Sequence, residues 1–280
     1  MPRLRLLFPL LLGFLAMPVW AQDAPKPPDE PIPSSCLAMA QSVPGATYAN
    51  YSPAAGAPLR NVAESGEVTI TYAGHSTYLI DTPKGVRIAT DFSGVYGGNP
   101  APRVATMNHA HRTHYTDAPD PQIEHVLRGW NPQGNGPARH AVVVDDVTIR
   151  NVPTDVLRWG REEKDGNSIF IFEVAGLCIG HLGHLHHKLT DAHYGAIGRL
   201  DVVMVPVDGG MTQSLANMSE IATRLMSSVI LPMHRHSTPM GEFLGLMGEK
   251  FAVDYRSGRS LTVSLRSLPK QPTIVVLDGV

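Results

Sequence analysis

Nine of the chain's 13 histidines fall in three short runs. His109, His111 and His114 lie within HAHRTH, His181, His184, His186 and His187 within HLGHLHH, and His234 and His236 within LPMHRH. Each run follows an apolar, strand-like segment. A lone histidine after a strand is ordinarily a hydrogen-bonded loop residue. Three strand ends that each deliver imidazoles are what a transition-metal site at one edge of a sheet needs. On an extended segment, positions i and i+2 point the same way, so His109 and His111 can clasp one ion. The turn that follows can aim His114 at a neighbouring ion. No GxSxG motif competes, and neither cysteine has a thiolate-promoting setting.

The elements that must carry these runs are legible as alternating or β-rich stretches. Strands are expected at 68–73, 77–81, 86–91, 104–108, 141–144, 147–152, 168–174, 177–180, 202–206, 229–232, 261–265 and 273–277. Helices are expected at 191–197, 215–226 and 242–250, with a short one near Leu37 to Gln41. Many strands first, then strands alternating with helices, imply a layered α/β domain with mixed sheets. No composition break divides residues 65–280, which read as one domain. Residues 22–64 read as a proline-rich, acidic, flexible leader followed by an irregular segment.

The first 21 residues have a secretory signal pattern. Arg3 and Arg5 precede the apolar run Leu6 to Met17, and Val19-Trp20-Ala21 places small residues at −3 and −1 of a cleavage point before Gln22. The run falls short of the roughly 18 apolar residues of a membrane helix, and nothing later reaches that length, so no membrane span is expected after cleavage. A periplasmic or secreted protein is implied. Without Arg3 and Arg5 the chain keeps 21 basic against 25 acidic residues, a formal charge of −4. That balance argues against a nucleic-acid or anionic-membrane partner, and a small-molecule substrate is the expected partner. Hydrophobic residues at 43% and charged ones at 17% are ordinary for a globular protein. Cys36 and Cys178 admit either a disulfide or a buried free thiol.

Taken in order, these motifs resemble the metallo-β-lactamase superfamily, in particular its ascorbate-6-phosphate lactonase-like and N-acylphosphatidylethanolamine phospholipase-like branch. ITYAGHSTYLIDTPKGVRIATD is similar to that branch's opening, and MNHAHRTH stands where the superfamily has HxHxDH. NSIFIFEVAGLCIGHLGHLHH resembles a segment ending in HLGDLGH, and DVVMVPVDGG with VILPMHRH resembles the last two motifs. The resemblance covers about residues 66–237. It implies an αββα four-layer sandwich with a metal site at one edge of the paired sheets, and a metal-bound hydroxide attacking a lactone, other ester or phosphodiester.

Three departures matter. Thr113 stands where the family has aspartate, His184 replaces the bridging aspartate, and the third-motif histidine is absent, VPTD offering only Thr154 or Asp155. An imidazole cannot present two oxygens to two metals, so a carboxylate-bridged pair is not expected. His114, His184 and His234 make a three-histidine set with one open position, suited to Zn²⁺. His109, His111 and Asp155 make a second, two-His-one-carboxylate set suited to zinc or iron. One tight zinc ion with a weaker second is the expectation, with iron and manganese as the alternative metals. The alternative is a fold that has lost hydrolysis and binds or senses a transition metal or small ligand. Asp91 matches the family's aspartate that supports a ligand histidine, or is a turn residue. His75 either orients a ligand or is a buried structural histidine. Thr113 stands beside the ligands in the same sense. His187 and Arg128 read as substrate-side residues, Arg128 pairing with an anion or lying in a surface salt bridge.

If the N-terminal pattern is a cleaved signal, protein recovered from its native host should begin at Gln22 or within a few residues of it. N-terminal sequencing checks this, and an intact Met1 on cytoplasmic protein would overturn it.

Overall fold

Strict alternation builds the first sheet. In β1 (Val68–Gly74) Val68, Ile70 and Tyr72 face inward and Thr69 and Thr71 outward, as a half-buried antiparallel strand requires. It pairs antiparallel with β2 (Thr77–Asp81), and β2 with β3 (Arg87–Ala89). The sheet continues in parallel through β4 (Val104–Met107) and β5 (His125–Arg128). The computed structural model describes residues 34–37 and 66–280, all within the unit Pro33–Val280. The helix expected at Leu37 to Gln41 lies largely outside the described residues.

The second sheet starts with β6 (Ala141–Val144), β7 (Val147–Arg158), β8 (Arg161–Val174) and β9 (Leu177–His181), antiparallel throughout. After α1 (Asp191–Ile197) it turns parallel: β10 (Val202–Pro206), α2 (Leu215–Leu225), β11 (Val229–Met233), α3 (Met240–Met247) and β12 (Ala252–Tyr255) follow. β13 (Ser260–Val263) crosses back to pair with β1, and β14 (Thr273–Val276) lies between β12 and β11. The result is a six-stranded sheet on an eight-stranded one. The β10 and β11 strands, VVMVP and VILPM, are buried along their whole length, as parallel central strands must be.

Some expectations shift. The β7–β8 hairpin runs on past residue 152 to a two-residue Trp159-Gly160 turn with φ of 52° and 73°. Its outer half (LRWGREEK) is solvated, so it carries no apolar alternation to read. β5 and β12 were not expected: of their four residues β5 fully buries one and β12 none, so neither carries an apolar face to read. α3 starts two residues earlier than expected and stops before Gly248.

Side chains of β1, β2, β8, β9 and β10 (Ile70, Tyr78, Phe170, Phe172, Ile179 and Met204 among them) interlock between the sheets. All three helices bury apolar faces (Ile197, Met218, Phe243) on the outer side of the larger sheet. The outer side of the smaller sheet is covered, among the described residues, by irregular chain carrying Phe92, Tyr115 and Ile123. Pro119 and Pro121 bar a helix there. No helix among the described residues is long and apolar enough to cross a membrane.

Cys36 and Cys178 are joined by a disulfide, resolving the alternative left open by composition. The same N-terminal piece is held by Glu173, which accepts from Ser34 Oγ at 2.5 Å, Ser35 N at 2.9 Å and Arg150 Nε at 2.9 Å. Burial raises the Glu173 carboxyl, yet these donors outweigh it and its pKa is lowered. Arg150 also caps the last carbonyls of α1, at Ala196 and Ile197. The bond closes 142 residues of sequence, so its removal should cost about 2–5 kcal/mol. Urea unfolding of the Cys36→Ala/Cys178→Ala double variant against the parent measures that loss.

Candidate metal centre

The ends of five strands and one turn meet at a single edge of the sandwich. The β1–β2 turn supplies His75, the end of β3 supplies Asp91, and the loop after β4 supplies His111, Thr113 and His114. Asp208 follows β10, His184 lies beyond β9, and His234 comes directly after β11. Four residues here have left-handed backbone: His75 (φ 55°), Asp91 (47°), His234 (52°) and His236 (54°). Such conformations cost energy in non-glycine residues and collect where a site over-determines them.

Two imidazoles are set like metal ligands. His114 Nδ1 donates to Asp91 Oδ2 at 2.7 Å, both side chains being fully buried. His234 Nδ1 donates to Asp208 Oδ2 at 2.8 Å. Each bond fixes the tautomer with the lone pair on Nε2, and these Nε2 atoms are buried without a hydrogen-bond partner. The carboxylates are themselves held. Asp91 Oδ1 accepts from Asn108 Nδ2, and Asp208 takes the backbone N–H groups of Gly210, Met211 and Thr212 and the Thr212 hydroxyl. Burial alone would raise both acids. The imidazole and hydrogen-bond donors win, leaving Asp91 at about 2 and Asp208 far below the usual range.

Around this pair the ligand-capable nitrogens of His75, His111, His114 and His234 lie within 4.8 Å of one another. His184 joins from the other side, its Nε2 3.2 Å from His111 Nε2. Two nitrogens on one tetrahedral ion with bonds of about 2.0–2.1 Å sit about 3.3 Å apart, so this spacing suits a shared ion. Thr113 Oγ bridges His111 Nδ1 at 2.7 Å and His75 Nε2 at 2.8 Å, leaving His111 Nε2 free to face His184. Burial, then repulsion among the rings, lowers His75 to about 3, His111 to about 4 and His184 further still. Neutral rings with free lone pairs are the form a metal binds, and the residues present fit a borderline transition metal.

His109 is turned out of the cluster. Its Nδ1 lies 2.5 Å from Glu163, and its ring stacks on Trp130 at 4.7 Å and 15°. Asp155 is elsewhere, its Oδ1 accepting from Asp165 N in a pocket it shares with His187 and His193. The structure therefore does not assemble a His109–His111–Asp155 set. Glu163 lies on the solvated half of the hairpin that β-patterning did not reveal, which is why its hold on His109 was not foreseen. Arg128 sits over Trp130. Thr113 and Asp91 stand against ligand rings, and His75 lies in the cluster with its Nε2 on Thr113 Oγ. Asp208 was missed as a partner of His234. The signal was there in Asp-Gly-Gly after a buried strand, where a carboxylate accepts from the turn it begins.

A family model described as the beta-lactamase superfamily domain matches residues 69–234, more than half the chain. The chain belongs to the metallo-β-lactamase superfamily. A Thermotoga maritima structure described as a Zn-dependent hydrolase of this superfamily is 29% identical, with TM-score 0.53, over 75% of this chain and 98% of the other. A metal-dependent hydrolase structure from Parabacteroides distasonis (17% identity, TM-score 0.52, 66% and 90% coverage) shares the fold. So does an isothiocyanate hydrolase from Delia radicum gut bacteria (9%, 0.53, 70% and 99%). A search of curated proteins returned no match.

Because Asp208 aims His234, Asp208→Asn should weaken metal affinity by roughly 10–100-fold. Asp155→Asn should leave it unchanged. Competition titration against a chromogenic chelator reads both.

Proposed function

We propose that this protein is an exported hydrolase that uses one transition-metal ion, zinc in preference to iron or manganese, on a lactone, other ester or phosphodiester. The observation that carries the reading is the pair of buried, unpartnered Nε2 atoms on His114 and His234, each fixed by a buried carboxylate. His111, His114, His184 and His234 would hold the ion, with His75 and Thr113 steadying His111. A bound Zn²⁺ acidifies water to near neutrality and polarises a carbonyl or phosphoryl oxygen. A cavity of about 210 Å³, walled by Tyr72, Tyr96, Arg235 and His236, opens beside His75 and His234 and is the route for substrate. The Thermotoga relative's description supports zinc and hydrolysis, and the motif order supports the lactonase-like and phospholipase-like branch. The disulfide supports export, since such bonds persist in oxidising compartments.

Thr113 and His184, standing where carboxylates would, favour a second reading in which the site sequesters or senses a metal without hydrolysis. Native mass spectrometry and a lactonase and phosphodiesterase panel separate the two. The expected results are one tight ion per chain, its loss in His184→Ala and its retention in His75→Ala. Thr113→Asp should strengthen a second ion and raise the hydrolytic rate. Two equally tight ions, or unchanged metal in His184→Ala, would overturn the ligand assignment. A metal-loaded protein inactive across the panel would favour the second reading.

A further inference from the structure

Away from the imidazole cluster, the open edge of the sandwich carries a second concave surface. It lies where the last strand of the small sheet, β5, passes into the loop before β6, the last strand of the large one. The cavity measures about 290 Å³, close to the lower end of small-molecule pockets at roughly 300 Å³. Its walls are Arg128, Arg139, Trp130, Asn131 and His140, with prolines at the rim. We propose that this pocket binds a small organic anion with a flat, aromatic face.

The charge is the first reason. Two guanidinium groups line the cavity and no carboxylate does. The loop from Gly129 to His140 (GWNPQGNGPARH) contains no acid. Neither Arg128 nor Arg139 enters an ion pair among the described residues, whereas Arg87, Arg103, Arg150, Arg158, Arg224 and Arg256 all do. In a chain of net charge −2, two uncompensated arginines on one concave wall set a local field that draws anions. Guanidinium forks match carboxylate and phosphate oxygens.

Shape and rigidity are the second. Trp130 is held by its stack on His109, and Arg128 Cζ lies 6.0 Å from the indole centroid, so a flat wall adjoins the charge. The loop is pinned from beneath. Ser168 Oγ donates to Gly129 O, Asn151 Nδ2 to Ala138 O, and His140 N to Asn151 Oδ1. His140 Nε2 donates to Arg128 O at 2.7 Å. A pocket ordered in advance spends little of its binding energy on immobilising its own walls. An ordinary solvated arginine pair would show neither the acid-free lining nor the pinned loop. No cluster histidine lines the cavity.

Isothermal titration of the intact protein with phenylphosphonate, which cannot be hydrolysed at phosphorus–oxygen ester bonds because it has none, tests this. Inorganic phosphate and the cationic benzamidine serve as comparisons. The expected result is one saturable site for phenylphosphonate, weaker binding of phosphate and none of benzamidine. Arg128→Met and Arg139→Met should each weaken phenylphosphonate about tenfold or more, and His184→Ala should not. Should Arg128→Met fail to fold, Arg128→Gln takes its place. Absence of saturable binding, equal binding of benzamidine, or binding that survives both arginine changes would overturn the proposal. Binding lost in His184→Ala but kept in the arginine variants would place the anion at the metal and leave the hydrolase reading intact.

Discussion

Two buried carboxylate–imidazole bonds, Asp91 to His114 and Asp208 to His234, organise everything around them. Each takes a ring that could present either nitrogen and leaves it one choice. The carboxylates can stay ionised in the interior because they gather donors, Asn108 on one side and the turn at Gly210 to Thr212 on the other. Without those donors a buried acid would neutralise, and the rings would lose their aim. The requirement reaches outward into the fold. Asn108 also accepts from Ser168 N on β8, so the orientation of a candidate ligand on one sheet is tied to the backbone of the other.

The cluster differs from the superfamily pattern in charge. Asp208 and Asp91 supply negative charge one step behind the rings, while the positions facing the cluster centre hold imidazoles and a hydroxyl. Thr113 has one proton and two lone pairs, enough to link His75 and His111 but not to balance an ion. Burial first, and then repulsion from the neighbouring rings at centroid distances such as 4.3 and 4.6 Å, hold His75, His111 and His184 neutral. Burial and mutual repulsion therefore act in the same direction as metal binding.

His109 shows how one position can change role while its neighbours do not. Its place in HAHRTH matches a ligand position, but Glu163 and Trp130 give the ring a hydrogen bond and a stack away from the cluster. That same stack steadies the aromatic wall of the neighbouring arginine pocket. The loop from His109 to His114 thus serves both surfaces, facing the metal centre with His111 and His114 and backing Trp130 with His109.

Most of the fold was readable from residues 66–280, because apolar alternation in β1 and β2 and unbroken apolar runs in β10 and β11 report burial directly. The histidine runs were equally plain, since each sits at the end of such a strand and spacing along an extended chain decides which side chains can share a direction. What spacing does not carry is competition for a ring. Whether His109 faces an ion or Glu163, whether Asp155 reaches the edge or caps its own hairpin, and whether Cys36 finds Cys178 depend on residues 54, 10 and 142 positions away. The tertiary structure decided those, because a side chain turns toward whichever partner the packed sheets bring within hydrogen-bonding distance.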